Sequence, residues 1–217
     1  MKTYILIIII LFTTLNKNYS QVFFRKKKES VEVFVNRIIN KEQGDLKFHI
    51  IETAEWSDSK KVIIYFIGDE SLIVGYLLTP INDSIYKQTF VDYFGGKAAA
   101  FGVEILNVFF ANTDIDNQNE IIITSKLRSK SPRFSHNSVQ GYYYDNNIYD
   151  NPNLTNPLDS LEINKRLTER FSQGFEGSIY NRKNGKLLRK EKAKNKEEKF
   201  IRQMLKKMGY KQGQQPT

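Results

Sequence analysis

The fold is decided by residues 61–79, which read KVIIYFIGDESLIVGYLLT. Two runs of β-branched and aromatic residues, typical of strands, flank the turn residues Gly68, Asp69 and Glu70. A connection this short cannot hold a crossover helix, so the two strands must run antiparallel. The next connection, Pro80 to Asp83, is equally brief. This part of the chain therefore predicts an antiparallel meander.

The strand pattern continues outward on both sides of this stretch. The segments that carry it are Leu46–Thr53, Lys61–Ile67, Ser71–Thr79, Ser84–Phe94, Val103–Ala111, Glu120–Leu127 and Val139–Asp145. Turn residues separate these segments, and neighbours in sequence are expected to pair. The pattern predicts one antiparallel sheet of about six or seven strands.

Helical periodicity appears before and after the strands, where apolar residues recur at spacings of three and four. The predicted helices are Glu29–Asn40 ended by Gly44, a second from Asp159 or Ser160 up to Gly174, and a third from about Lys196 to Met208 closed by Gly209. The sequence thus predicts an α+β fold, in which an N-terminal helix and two C-terminal helices pack on an antiparallel meander sheet.

The first 20 residues have the layout of a signal peptide. Lys2 precedes an apolar stretch from Tyr4 to Phe12, and small and polar residues follow up to Ser20. The apolar stretch is too short to span a bilayer. We expect an exported protein, periplasmic or extracellular, with one α+β domain over residues 21–210 and a frayed tail over 211–217.

The chain has no cysteine, so disulfides cannot stabilise it, and its formal net charge is +9. The positive charge is concentrated at one end, because residues 162–217 hold 16 Lys and Arg against 6 Asp and Glu. Such residues on an amphipathic helix are either simply solvated or bind an acidic protein or an anionic surface. Export argues against nucleic acid as the partner.

An acidic loop lies between two strand signals, in residues 108–123, which read VFFANTDIDNQNEIII. Oxygen-bearing side chains occupy the first, third, fifth and ninth loop positions, at Asn112, Asp114, Asp116 and Glu120, and Gln118 can add its backbone carbonyl. Calcium is bound by six to eight such oxygens. The spacing predicts one weak calcium site, weak because Asn112 is neutral. The alternative is a polar turn that bonds only its own backbone.

This loop resembles the calcium loop of FG-GAP and related secreted bacterial repeats, an Asp-x-Asp-x-Asp-Gly-type loop that leads into a Glu-Ile-Ile-like strand. It departs from that pattern at Asn112 and Asn117, and Ile123 at position twelve separates it from an EF-hand loop. The mature chain also resembles uncharacterised exported bacterial proteins, through Gly141–Asp145, Phe171–Gly177 and Leu205–Tyr210. The second resemblance implies a shared fold and brings no activity.

Catalytic patterns are weak in this sequence. A Gly-x-Ser-x-Gly elbow is missing, and the histidines, His49 and His136, lie far apart without any cysteine to complete a zinc site. We therefore expect a non-enzymatic exported binding protein that has one weak calcium site. The alternative is a periplasmic inhibitor or immunity-type protein that binds an acidic partner through its basic C-terminal helices. A hydrolase with a dispersed site is a third hypothesis.

Overall fold

The structure is a computed structural model that describes residues 21–42, 45–56, 60–95, 102–114, 118–128, 137–150, 159–172 and 174–210. The predicted signal peptide and frayed tail, and also Gly44, Asp116, Asn117 and His136, lie outside the described residues. The helices are α1 (Val31–Glu42), α2 (Lys165–Phe171) and α3 (Glu198–Lys207). The strands are β1 (Val22–Phe24), β2 (Asp45–Leu46), β3 (Ile51–Thr53), β4 (Val62–Gly68), β5 (Leu72–Pro80), β6 (Ile85–Gly95), β7 (Val103–Ala111), β8 (Glu120–Arg128), β9 (Asn137–Tyr149), β10 (Gly174–Asn181) and β11 (Leu187–Glu191).

The predicted α+β class is confirmed, with one helix near the N-terminus and two toward the C-terminus. The strands form two antiparallel sheets, however, and not a single meander. The first has the order β1-β6-β5-β4-β2, with β3 also paired to β4, and the second has the order β11-β10-β9-β8-β7. The chain passes from one sheet to the other between β6 and β7, so these sequence neighbours do not pair.

Two sheets form because inner strands of each sheet are buried on both faces. Residues 62–67 of β4 and 120–125 of β8 are all buried, although a sheet with one solvated face would alternate. One face of each strand enters the core between the sheets, where Ile64 and Phe66 share a cluster with Ile121 and Ile123. The other face of each strand therefore needs a second covering layer.

The helices supply these outer layers. Helix α1 covers the outer face of the first sheet, since Phe34 and Ile38 join Ile63 and Tyr65 in one buried cluster. Helices α2 and α3 cover the outer face of the second sheet. They form a further buried cluster with it, whose members include Ile122, Ile148, Leu167, Phe171, Ile201 and Leu205. The order of layers is helix, sheet, sheet, helix. Both sheets are thereby buried on two faces near their centres.

The second helix begins later than the sequence pattern predicts. Ser160 forms a bridge with Phe90 of β6, and Ile163 forms one with Tyr149 of β9, so this extended segment links the two sheets. Helix α2 then starts after Asn164, whose side chain accepts a hydrogen bond from the Leu167 N–H at 3.2 Å. Several cap-forming residues precede this helix, and the segment's pairing with both sheets selects the last of them.

Strands β10 and β11 lie where the sequence predicts the end of a helix followed by residues rich in lysine and arginine. Gly174, predicted to stop a helix, is the first residue of β10. Asn184 and Gly185 lie in the turn between the two strands, and Gly185 has a φ of 68°. Asn-Gly is a strong hairpin signal, since both residues tolerate positive φ. It was masked here by the surrounding lysines and arginines.

The predicted first strand, Leu46–Thr53, is interrupted and forms β2 and β3. Both pieces pair with β4, where Leu46 lies opposite Ile67 and Ile51 lies opposite Ile64. The edge chain therefore advances five residues while β4 advances three. The extra residues bulge out of the ladder, which bends this edge of the first sheet.

Candidate functional site

The acidic loop connects two strands of the second sheet at one end of their ladder. Strands β7 and β8 are antiparallel, and Ala111 pairs with Glu120. The loop therefore leaves and re-enters the sheet at neighbouring positions. Asn112 and Thr113 are buried, Asp114 is half-buried, and Gln118 and Asn119 lie nearer the surface.

A third strand brings another carboxylate to the same place. Strand β9 is antiparallel to β8, and Tyr149 lies opposite Ile121. The residue after Tyr149 is Asp150, and the residue before Ile121 is Glu120. This register places Asp150 beside Glu120 at the loop end of the sheet.

Three carboxylates converge here, and we call Asp114, Glu120 and Asp150 the acidic cluster. One carboxylate oxygen from each lies within 4.8 Å of the others. Glu120 is fully buried, with 0 % of its surface exposed, whereas Asp114 is half-buried and Asp150 is exposed. The cluster therefore runs from solvent at Asp150 into the interior at Glu120, and all three of these donor atoms are oxygens.

The buried part of the site is rich in polar atoms. Glu120 accepts a hydrogen bond through Oε2 from the Thr113 backbone N–H. The Thr113 side chain is fully buried, and its hydroxyl has no hydrogen-bond partner among the residues that the structure describes. Buried polar atoms normally pair with protein or with ordered water, so this hydroxyl leaves room for a further partner on a residue whose backbone contacts Glu120.

The site is only partly the one predicted from sequence. Asp114 and Glu120 lie together, and Asn112 is buried at the same end of the hairpin. Gln118 is exposed, and Asp116 lies outside the described residues. Asp150 is not among the predicted ligands, because the predicted strand ends at Asp145 and does not reach it. Extending that strand by four residues, with the register to β8, would have found it.

A buried tyrosine ties this end of the second sheet to the first sheet. Tyr149 donates a hydrogen bond from its hydroxyl to Asp92 Oδ2 on β6, at 2.7 Å, and Asn147 donates to the same oxygen at 3.3 Å. Burial, with the nearby Asp92 carboxylate, raises the pKa of Tyr149 above its usual range. This phenol therefore stays protonated, and the residue before Asp150 is held firmly.

The candidate catalytic residues do not assemble around this site. His49 is exposed, and its ring lies 4.0 Å from that of Phe48. Lys87 of β6 forms an ion pair with Asp159 at 3.1 Å, so a carboxylate already binds its ammonium group. His49 and Lys87 therefore each contact a residue outside the acidic cluster.

The two helices of the basic C-terminal part, α2 and α3, lie on the face of the second sheet that points away from the first sheet. Helix α3 buries Ile201 and Leu205 against that face and exposes Lys206 and Lys207. Some cations nearby are neutralised, as in the Arg202–Glu198 pair at 2.6 Å. Among the described residues, no helix is long and apolar enough to cross a membrane.

Comparison of the chain with models of protein families, with curated proteins and with solved structures finds no match.

Proposed function

We propose that this chain is an exported, non-enzymatic binding protein that holds one calcium ion at the acidic cluster. The observation that supports this most is the convergence of Asp114, Glu120 and Asp150, whose oxygens lie within 4.8 Å of one another. Two oxygens on opposite sides of a calcium ion, each at about 2.4 Å, are about 4.8 Å apart. One ion can therefore contact all three carboxylates.

Charge gives a second argument. Two carboxylates at this separation repel each other by roughly 3 kcal/mol at an effective dielectric constant of about 20. The cost is greatest for Glu120, which is fully buried. A divalent cation turns this repulsion into attraction, because it brings two positive charges between the three carboxylates.

The donor set favours calcium over transition metals. The cluster contains carboxylates and neither His nor Cys, which are the ligands typical of zinc and copper sites. Asn112 remains a predicted ligand through its amide oxygen, and exposed Asp150 gives the ion an entry path. Calcium sites of extracellular modules have dissociation constants of about 0.1 to 1 mM. An exported protein meets calcium at that level.

The test is calorimetry and thermal unfolding of the protein with and without calcium. Asp150→Asn is the best site variant, because this exposed residue can lose its charge without disturbing the core. Asp83→Asn, in an exposed turn between β5 and β6, is the matched control. At calcium ten times above the dissociation constant we expect stabilisation by about 1.4 kcal/mol, or about 3–6 °C.

This gain should disappear in Asp150→Asn and persist in Asp83→Asn. If the unmodified protein gives neither heat nor a shift in melting temperature at millimolar calcium, the loop is only a polar turn. If Asp150→Asn retains the full effect, calcium binds away from the acidic cluster.

A second candidate function is the periplasmic inhibitor or immunity-type protein that binds an acidic partner through the basic C-terminal helices. It is favoured by Lys206 and Lys207 on α3, which are exposed and form no ion pair within the described part of the chain. Co-purification with the product of an adjacent gene should weaken as salt rises from about 0.05 to 0.5 M. Salt-independent association, or none, would count against this candidate.

A further inference from the structure

A groove opens on the helical side of the second sheet, with a volume of about 500 Å³. It lies between α2, the start of β10, the link from β11 to α3, and α3 itself. Phe171, Phe200 and Met204 give it apolar walls, and Arg170, Lys192 and Lys194 lie around its rim. We call this the C-terminal groove. Its volume falls within the range of about 300–1,000 Å³ that is usual for ligand sites.

The walls of the groove are fixed to one another by amide side chains. Asn195 donates a hydrogen bond to the Phe171 carbonyl at 2.7 Å. Asn146, which is fully buried, donates to the carbonyls of both Phe171 and Asn195 at 2.9 Å. The groove is therefore formed before any ligand binds, which lowers the entropic cost of binding.

The charge around the groove is positive, and the described residues do not compensate it. Arg170, Lys192 and Lys194 are exposed and form no ion pair with any residue that the structure describes. The acidic residue that lines the groove, Glu191, is paired with Arg189 at 2.6 Å. Apolar walls beneath uncompensated cations complement a ligand that is both apolar and negatively charged.

We propose that the C-terminal groove binds an acidic peptide segment of a partner protein, with one apolar side chain of that segment inserted between Phe171, Phe200 and Met204. The proposal rests on the second candidate function, names the C-terminal groove rather than Lys206 and Lys207 as its contact surface, and is independent of the calcium site. A concave site with apolar walls suits a projecting side chain better than a flat membrane surface. The chain's own end, residues 211–217, has one Lys and no acidic residue, so its charge does not fit the groove.

The experiment is selection of peptides from a phage library of random dodecapeptides on the immobilised protein, with EDTA present to remove any effect of calcium. The enriched peptides are then measured by fluorescence polarisation against two variants of equal net charge. Lys192→Glu/Lys194→Glu changes the rim of the groove, and Lys206→Glu/Lys207→Glu changes the outer face of α3. All four lysines are exposed, so both variants should keep the melting temperature of the parent protein.

We expect enrichment of peptides in which acidic residues flank a large apolar residue. Lys192→Glu/Lys194→Glu should weaken their binding by at least about tenfold, and Lys206→Glu/Lys207→Glu by less than about threefold. No enrichment, or no acidic bias, overturns the proposal. Equal losses in both variants indicate attraction by net charge alone and also overturn it.

Two further results reject the groove in different ways. If only Lys206→Glu/Lys207→Glu weakens binding, the outer face of α3 is the site, and the second candidate function survives without the groove. If vesicles of phosphatidylglycerol bind the protein and displace the peptides, the surface is a membrane-binding one.

Discussion

Asn146 joins the second sheet to the C-terminal part of the chain, and replacing it with alanine should be costly. Its side chain accepts a hydrogen bond from the Thr124 hydroxyl at 2.6 Å. The same amide donates to the carbonyls of Phe171 and Asn195 at 2.9 Å each. Asn146 is fully buried, so water cannot easily replace these partners.

The expected magnitude follows from these contacts. Three hydrogen bonds, two of them buried and one partly buried, at about 1 kcal/mol each give a loss of about 3 kcal/mol in the free energy of unfolding. The Phe171 carbonyl keeps one donor from Asn195, whereas the Thr124 hydroxyl loses its acceptor. For a domain of this size the loss corresponds to a fall in melting temperature of roughly 6–12 °C.

Urea unfolding of Asn146→Ala checks this value, with Asn184→Ala as the matched control. Asn184 lies in the exposed turn between β10 and β11 and accepts one hydrogen bond, from the Lys186 N–H at 3.0 Å. The control should lose less than about 1 kcal/mol. Equal losses in the two variants would refute the view that Asn146 holds the C-terminal part of the chain against the sheet.

Three other predictions concern pH and backbone packing. The pKa of Tyr149 is raised in the folded protein, so the free energy of unfolding should fall by up to about 1.4 kcal/mol per pH unit above about pH 10. Urea unfolding of Tyr149→Phe should show a shallower fall over the same pH range. The Arg37 guanidinium lowers the pKa of Glu29, so this ion pair stabilises the protein above about pH 4.5 and stabilises it less as the pH falls. In an acid titration followed by circular dichroism, Glu29→Gln should therefore lose less stability than the parent protein. Gly177→Ala should destabilise the fold by at least about 1 kcal/mol in thermal unfolding, because Gly177 lies opposite Gly141 and an added Cβ would collide with the β9 backbone; a neutral effect would contradict this close approach.

The individual strands were largely predictable from sequence, because their signals are local. The run of β-branched and aromatic residues at 62–67 and the short turn at Gly68–Glu70 determine β4, β5 and their antiparallel pairing. The division into two sheets was not predictable in this way. The division depends on which face of each strand is buried by residues that are distant in sequence. A buried run such as Ile121–Ile123 is compatible with several such arrangements.

The acidic cluster shows the same limit. Asp114 and Glu120 lie in one loop, so their spacing suggested a common ligand, and the structure brings them together. Asp150 is thirty positions beyond Glu120, and only the register of β8 with β9 connects the two. The C-terminal groove was not predictable either, because it needs the β10–β11 hairpin that the basic composition concealed.

The most direct test of the calcium site is a crystal structure of the protein grown with millimolar calcium, with anomalous difference density used to locate the ion. If the acidic cluster holds calcium, one peak lies between Asp114, Glu120 and Asp150, with metal–oxygen distances of about 2.3 to 2.6 Å. A peak elsewhere, or none at a calcium concentration that saturates the calorimetric signal, would contradict it.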